Sequence, residues 1–228
     1  MKPSESPQSG CPHPREGAPR HHGPIIGLSG AVAAGKSMVA RLLAQKTDAA
    51  LIDADDIAHH VLAADPEAKR RIIERWGDGV LNDGREISRA KLASIVFSNA
   101  DELAELNRII HPGILNEIRR TVQDTRKQAP ERWIVLDAAL LFETGLNEIC
   151  DVMIFVESSW NTRAQRAKLN RGWDSEELDR RQQAQLPAEY KRNCSQHTVN
   201  NDGSRYETER QIERIVKLIK RHRREFNG

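Results

Sequence analysis

The sequence predicts an α/β fold of three layers, a parallel sheet between helices, with a helical substrate-binding insertion and a helical lid. Three observations carry this. A glycine-containing loop stands between a short apolar run and a helical pattern near the start of the chain. Further apolar runs then alternate with helical patterns, as parallel sheets require. Residues 65–129 and 159–195 interrupt that alternation with helical patterns alone.

Residues 1–23 are rich in Pro, Gly, His and Arg and almost devoid of apolar side chains. Such a segment buries too little surface to offset its ordering entropy, so a disordered tail is expected. Pro24 to Ser29 reads as a buried strand, and Met38 to Ala44 as a helix with Val39, Leu42 and Leu43 on one side. Between them, Gly30-Ala31-Val32-Ala33-Ala34-Gly35-Lys36-Ser37 fits the phosphate-binding pattern Gly, any four residues, Gly-Lys-Ser/Thr. Gly30 and Gly35 let the backbone turn tightly and approach phosphate oxygens. The N–H groups of Ala33, Ala34, Gly35, Lys36, Ser37 and Met38 then form a ring of donors. Lys36 reaches the β- and γ-phosphates, and the Ser37 hydroxyl is the candidate ligand of the Mg2+ that accompanies ATP. A helix starting near Lys36 adds the positive end of its dipole.

Ala49 to Ile52 is a second strand, ending in Asp53-Ala54-Asp55-Asp56. Carboxylates at the C-terminal end of a parallel strand lie where ligands of open sheets bind. Helical patterns follow from Ile57 to Leu62 and from Pro66 to Trp76, the latter ending at Gly77. Asn82-Asp83-Gly84 is a turn. Ser88 is a candidate N-cap for Arg89 to Phe97, and Asp101 for the next helix, which His111-Pro112 interrupts. Strands resume at Arg132 to Asp137 and Asp151 to Glu157. Ser159 to Tyr190 is polar and arginine-rich, with sparse apolar residues, which predicts lightly packed helices suited to a mobile lid over phosphates. A short strand at His197 to Asn200, a turn at Asn201 to Ser204 and a terminal helix over 205–226 complete the chain. The expected organisation is a nucleotide-binding core of 24–64, 130–158 and 196–228, an insertion of 65–129 and a lid of 159–195.

The 228 residues carry a net charge of +2, which calls for no nucleic-acid partner, despite the Lys/Arg-rich end of the last helix. No apolar run is long enough to span a membrane. Cys11, Cys150 and Cys194 are scattered and odd in number, which argues against a disulfide framework or zinc cluster and for a reducing, cytoplasmic setting. No Asn-Lys-x-Asp guanine-reading motif is present.

A phosphate loop, an Asp-x-Asp after the second strand, a helical insertion and an arginine-rich lid together point to a small-molecule P-loop kinase. An acceptor hydroxyl must be aligned and lose its proton, which a carboxylate can take. Asp55, further along the chain, is the favoured base. Asp53 is the candidate for positioning substrate or for magnesium's outer shell. A purely structural alternative has Asp55 or Asp56 capping the helix from Ile57.

With these motifs the chain resembles the dephospho-coenzyme A kinase family. The likeness lies in Gly27 to Ser37, in Ile52-Asp53-Ala54-Asp55, and in Asp83-Gly84 with Arg89, Leu92 and Ile95-Val96-Phe97. It continues through Ile110-His111-Pro112, Leu136-Asp137-Ala138, Leu140 to Glu143, Gln185, Lys191 and Asn201 to Ser204. The resemblance implies ATP-dependent phosphorylation of the ribose 3′-hydroxyl of dephospho-coenzyme A; a monomer or weak homo-oligomer is expected. It implies Asp55 as catalytic aspartate, Lys36 and Arg166 as catalytic cations, Arg89 and His111 near the acceptor, and Asn201 lining the adenine pocket. Departures are Met38 for a second hydroxyl residue, Arg171 one residue later than the second lid arginine, and Ala31, Ala33 and Ala34 where glycine or serine is commoner. These alanines are expected to fit the loop without positive φ, and Met38 to keep its N–H available.

Overall fold

The computed structural model describes residues 22–96 and 99–227, and residues 1–21 of the expected tail and Phe97 of the expected fourth helix lie outside them. The described residues divide into two compact units, one of 22–51 with 129–227 and one within 52–128. The sequence reading had residues 52–64 with the sheet.

In the first unit, β1 (Ile25–Gly30) is buried throughout, as an apolar strand covered on both faces must be. It is flanked by β3 (Ile134–Asp137) and β4 (Val152–Glu157), and the sheet runs β2-β3-β1-β4-β5, with β2 at Ala50–Asp53 and β5 at His197–Asn200. Pairing is parallel, with Ile26 opposite Val135 on one side and Val152 on the other. Gly27 has no side chain because a Cβ there would come within 2.7 Å of both Cys150 Sγ and Met153 Sδ. Ile26, Leu28, Val135, Ile154 and Val156 form one core with Val39, Leu42 and Leu43 of α1 (Lys36–Thr47). The same core takes Ile212, Ile215, Val216 and Ile219 of α9 (Arg205–Asn227). Each such side chain stabilises the fold by about 1.5–3 kcal/mol on burial. Cys150 is a buried free thiol, and burial raises its pKa. Cys194 is buried as well.

The arginine-rich stretch folds as α6 (Trp160–Arg171), α7 (Ser175–Gln183) and α8 (Ala188–Asn193). Its apolar residues are few but well used. Ala167 of α6 and Leu178 of α7 are buried in a small core with Val32. In α8, Lys191 is fully buried, with Nζ 2.7 Å from Glu143 Oε1 and 3.0 Å from Gln185 Oε1. The same Glu143 oxygen accepts from the Leu186 N–H at 2.9 Å. Removing one member of such a pair strands a buried charge. Lys191→Met is therefore expected to destabilise by about 3 kcal/mol in urea unfolding, and adding Glu143→Leu should restore more than half of the loss.

In the second unit, Asp53 caps α2 (Ala54–Ala64), and its Oδ1 accepts from the Asp55 and Asp56 N–H groups at 3.0 and 3.4 Å. The cap is thus neither Asp55 nor Asp56. Asp65 caps α3 (Pro66–Trp76), and Ser88 precedes α4 (Arg89–Val96) with Oγ 3.4 Å from the Lys91 N–H. Leu81 and Ile87 bridge around the expected turn. Asn99, rather than Asp101, caps α5 (Ala100–Gln128), accepting from the Asp101 N–H at 2.9 Å.

His111-Pro112 does not interrupt α5, which continues through Pro112 as one helix. An internal proline costs about 3 kcal/mol in isolation. Here tertiary packing outweighs it. Val61, Ile72, Leu92, Val96, Leu106 and Ile109 share one core, and Ile118 beyond the proline is also fully buried. Gly113 lets α5 sit close to α2, since a Cβ there would lie 2.8 Å from Asp65 Oδ2 and 2.9 Å from Val61 Cγ1.

Candidate phosphate-loop site

The loop from Gly30 to Ser37 is shaped by the protein around it. Gly30 has φ 155°, and a Cβ there would stand 2.4 Å from the Val156 carbonyl oxygen. Gly35 has φ 91°, and its Cβ would lie 2.3 Å from Asn201 Nδ2. Both glycines are therefore required by backbone and neighbours together. The expectation that the alanines avoid positive φ fails at Ala33, whose φ is 62°. A left-handed alanine costs about 1–2 kcal/mol, so the turn persists only because its surroundings hold it.

Those surroundings are specific. The Ala34 carbonyl accepts from Asn201 Nδ2 at 2.8 Å, Ser158 Oγ at 3.2 Å and Arg166 Nη1 at 3.2 Å. Arg166 also donates to Ser158 Oγ (3.1 Å) and to the Asn201 carbonyl (2.7 Å). Asn201 is buried, and its Oδ1 accepts from Thr208 Oγ1 at 3.1 Å. On the other flank, the Val32 N–H donates to Gln182 Oε1 at 3.0 Å, and the Val32 carbonyl accepts from Arg163 Nη1 at 3.3 Å. Lys36 Nζ lies 3.4 Å from the Ala31 carbonyl, at the inner edge of the loop.

α1 starts at Lys36 behind Gly35, with no side-chain cap and no acid in its first turn. An uncapped N-terminus of this kind favours an anion. Ser37 is exposed there. Two N–H groups expected in the donor ring have partners inside the loop. Ala34 donates to the Ala31 carbonyl and Met38 to the Gly35 carbonyl, each at 3.2 Å. The first closes the turn and the second the first helical turn, so Met38 is not an open donor.

Of the other arginines, Arg163 is half-buried, with its guanidinium over the Trp160 ring at 5.1 Å. Burial pushes its pKa down, and its Nε is buried without a hydrogen-bond acceptor among the described residues. Arg171 stacks on Trp173 at 4.6 Å, with Arg181 over the same ring at 4.0 Å. The sequence marked Arg163 only as part of a basic stretch and missed Gln182 and Ser158, which belong to no motif.

In the second unit, Asp53 and Asp55 diverge. Asp53 turns its carboxylate onto the start of α2, while Asp55 is exposed in the first turn. Arg89 Nη2 lies 2.7 Å from His59 Nε2, so α4 is tied to α2 through an imidazole nitrogen that must accept, since guanidinium only donates. His111 is half-buried on α5, and desolvation lowers its pKa.

Known proteins resemble this chain along most of its length. The dephospho-CoA kinase family model matches residues 24–207. A dephospho-CoA kinase of Carboxydothermus hydrogenoformans is 37% identical over 197 residues, covering 86% of this chain and 95% of that protein. The Syntrophus aciditrophicus dephospho-CoA kinase is 37% identical over 199 residues, covering 87% and 84%. Among solved structures, a Thermus thermophilus protein superposes with a TM-score of 0.68 at 28% identity, over 86% of this chain and 97% of its own. The Campylobacter jejuni dephospho-CoA kinase, at 22% identity and a TM-score of 0.65 over 87% of this chain and 98% of its own, shares the fold. With its phosphate loop, its parallel sheet and a family match from Pro24 onward, the chain belongs to the dephospho-CoA kinase family, the enzymes that phosphorylate dephospho-CoA with ATP in the last step of coenzyme A biosynthesis.

Proposed function

We propose that this chain transfers the γ-phosphoryl group of ATP to the ribose 3′-hydroxyl of dephospho-CoA. The observation that carries the proposal is the loop itself. An uncapped helix start, Lys36 beside it and a backbone braced by Arg166 and Asn201 make a preformed phosphate site. Lys36 and Arg166 supply positive charge to the transferring group. The ribose oxygen bonds to the γ-phosphorus as the bond to the β,γ-bridging oxygen breaks, and the hydroxyl proton passes to Asp55. Asp53, Arg89 and His111 hold the acceptor, with Asp53 also setting the start of α2. Asn201 serves ATP through the loop, because both ends of its amide are already bonded within the protein.

Magnesium fits this chemistry. Among the described residues no group of three His, Cys, Asp or Glu could cage a metal. Mg2+ would arrive with ATP and would need no cage of protein side chains. Ser37 is exposed, and its hydroxyl is the hard oxygen that would hold the ion within the loop. Held there, Mg2+ would neutralise charge on the β- and γ-phosphates.

The enzyme acts without nucleic acid or membrane, in the cytoplasm, as a monomer or weak homo-oligomer. No helix among the described residues is long and apolar enough to cross a membrane. The test is ATP turnover with dephospho-CoA beside nucleosides and sugar acids. Formation of CoA and ADP is expected. Phosphorylation of a nucleoside with dephospho-CoA untouched would overturn the assignment.

A further inference from the structure

We infer that Gln182, on α7, is a positioning residue for nucleotide binding, holding the strained Val32–Ala33 turn of the phosphate loop in its working shape. The inference rests on the reading of Gly30–Ser37 as the ATP site.

Ala33 lies at φ 62°, a conformation that alanine does not keep unaided. Its neighbour Val32 is fixed on three sides. The Val32 N–H donates to Gln182 Oε1 at 3.0 Å. Its carbonyl accepts from Arg163 Nη1 at 3.3 Å. Its side chain is buried between Ala167 and Leu178, with Ala33, Ala164 and Trp173 packed against the same cluster. Gln182 Oε1 also accepts from Arg163 Nη1 at 3.2 Å, so one amide oxygen holds both the loop donor and the cation that holds the loop acceptor. The α6–α7 hairpin is therefore built onto the loop, and two loop residues are part of its core. A phosphate oxygen entering the loop meets a backbone already in place, and the nucleotide does not pay to order it.

Without the Gln182 oxygen, the Val32 N–H loses its acceptor and Arg163, whose Nε already lacks one, loses another. The strained turn is then released to other conformations. Methionine matches the length and volume of glutamine but accepts hydrogen bonds only weakly, so Gln182→Met removes the oxygen and spares the packing. Gln182→Glu keeps an acceptor in the same place, with Arg163 beside it to balance its charge.

The experiment combines calorimetric titration of Mg-ADP and Mg-ATP with steady-state kinetics and thermal melting of wild type, Gln182→Met and Gln182→Glu. Gln182→Met is expected to weaken both nucleotides about tenfold, and to raise KM for ATP equally. KM for dephospho-CoA should stay at its wild-type value, and the melting midpoint should fall by no more than a few degrees, the cost of the stranded Val32 N–H. Gln182→Glu should return within about threefold of wild type, the residue of carboxylate repulsion. Wild-type nucleotide affinity in Gln182→Met overturns the inference, as does equal impairment in the two variants. So does loss of both substrates together with the melting midpoint. Wild type that binds Mg-ATP yet leaves dephospho-CoA unphosphorylated refutes the proposed function alone, because the titrations still read the Gln182 effect. Wild type that binds no nucleotide refutes both.

Discussion

Replacing Lys36 by alanine is expected to lower turnover by at least about 10³-fold, with the melting midpoint unchanged. The ammonium sits at the first turn of α1, 3.4 Å from the Ala31 carbonyl, where the loop closes on itself. The loop's shape does not depend on that contact, since Ala34 and Val32 are braced by Asn201, Arg166, Arg163 and Gln182. The lysine's task is charge. Its effect belongs mostly to the transition state, where negative charge spreads over the transferring oxygens and toward the leaving ADP. The loss should therefore appear chiefly in kcat, with ADP affinity falling far less. Native-like melting together with wild-type turnover in Lys36→Ala would remove the loop from the mechanism.

Asp55→Asn is expected to cut kcat by about 10²–10⁴-fold while nucleotide affinity holds, the scale of a lost general base. The arrangement of α2 separates this residue from its neighbour. Asp53 spends one oxygen on the N–H groups of Asp55 and Asp56, a task that asparagine performs equally well. Asp53→Asn should therefore keep the helix and most of kcat, with its loss appearing in KM for dephospho-CoA, whereas Asp55 is exposed one step into the helix and caps nothing. Side-by-side kinetics of the two variants decide the matter. A large fall in kcat for Asp53→Asn with Asp55→Asn near wild type would reverse the assignment.

The sheet and the loop were legible because their signals are local. Gly30 and Gly35 mark a turn that few sequences make, and the apolar runs of β1, β3 and β4 need only their own composition to read as buried parallel strands. The misreadings came from contacts across long separations. Pro112 looked like a break because proline ends isolated helices. Gly113, seated against Val61 and Asp65, and the buried Ile109 and Ile118 keep α5 going. Ala33 was expected at negative φ because alanine prefers it, and nothing near it in sequence announces the tethers on Val32. Asn99 displaced Asp101 as the cap of α5 by two positions, within the usual blur of helix ends. The sparse apolar residues of 159–195 suggested loose helices, yet Ala167 and Leu178 are among the most buried in the chain. Arg166 and Asn201 were picked by likeness, and what they grip, the carbonyl of Ala34, had no signature at all.

The order in which the ribosome delivers this chain sets when its phosphate loop comes into being. Both neighbours of β1 are made long after it, since Ile25 pairs with Ile134 and Gly30 with Val156. The residues that form the core of 52–128, from Val61 to Ile109, are all made between these partners. Contacts so distant in sequence are slow to close. The nascent β1 therefore waits as an unpaired apolar strand, and Val32 and Ala33 wait longer still, until Leu178 and Gln182 have emerged. The phosphate loop is translated well ahead of the elements that give it its shape.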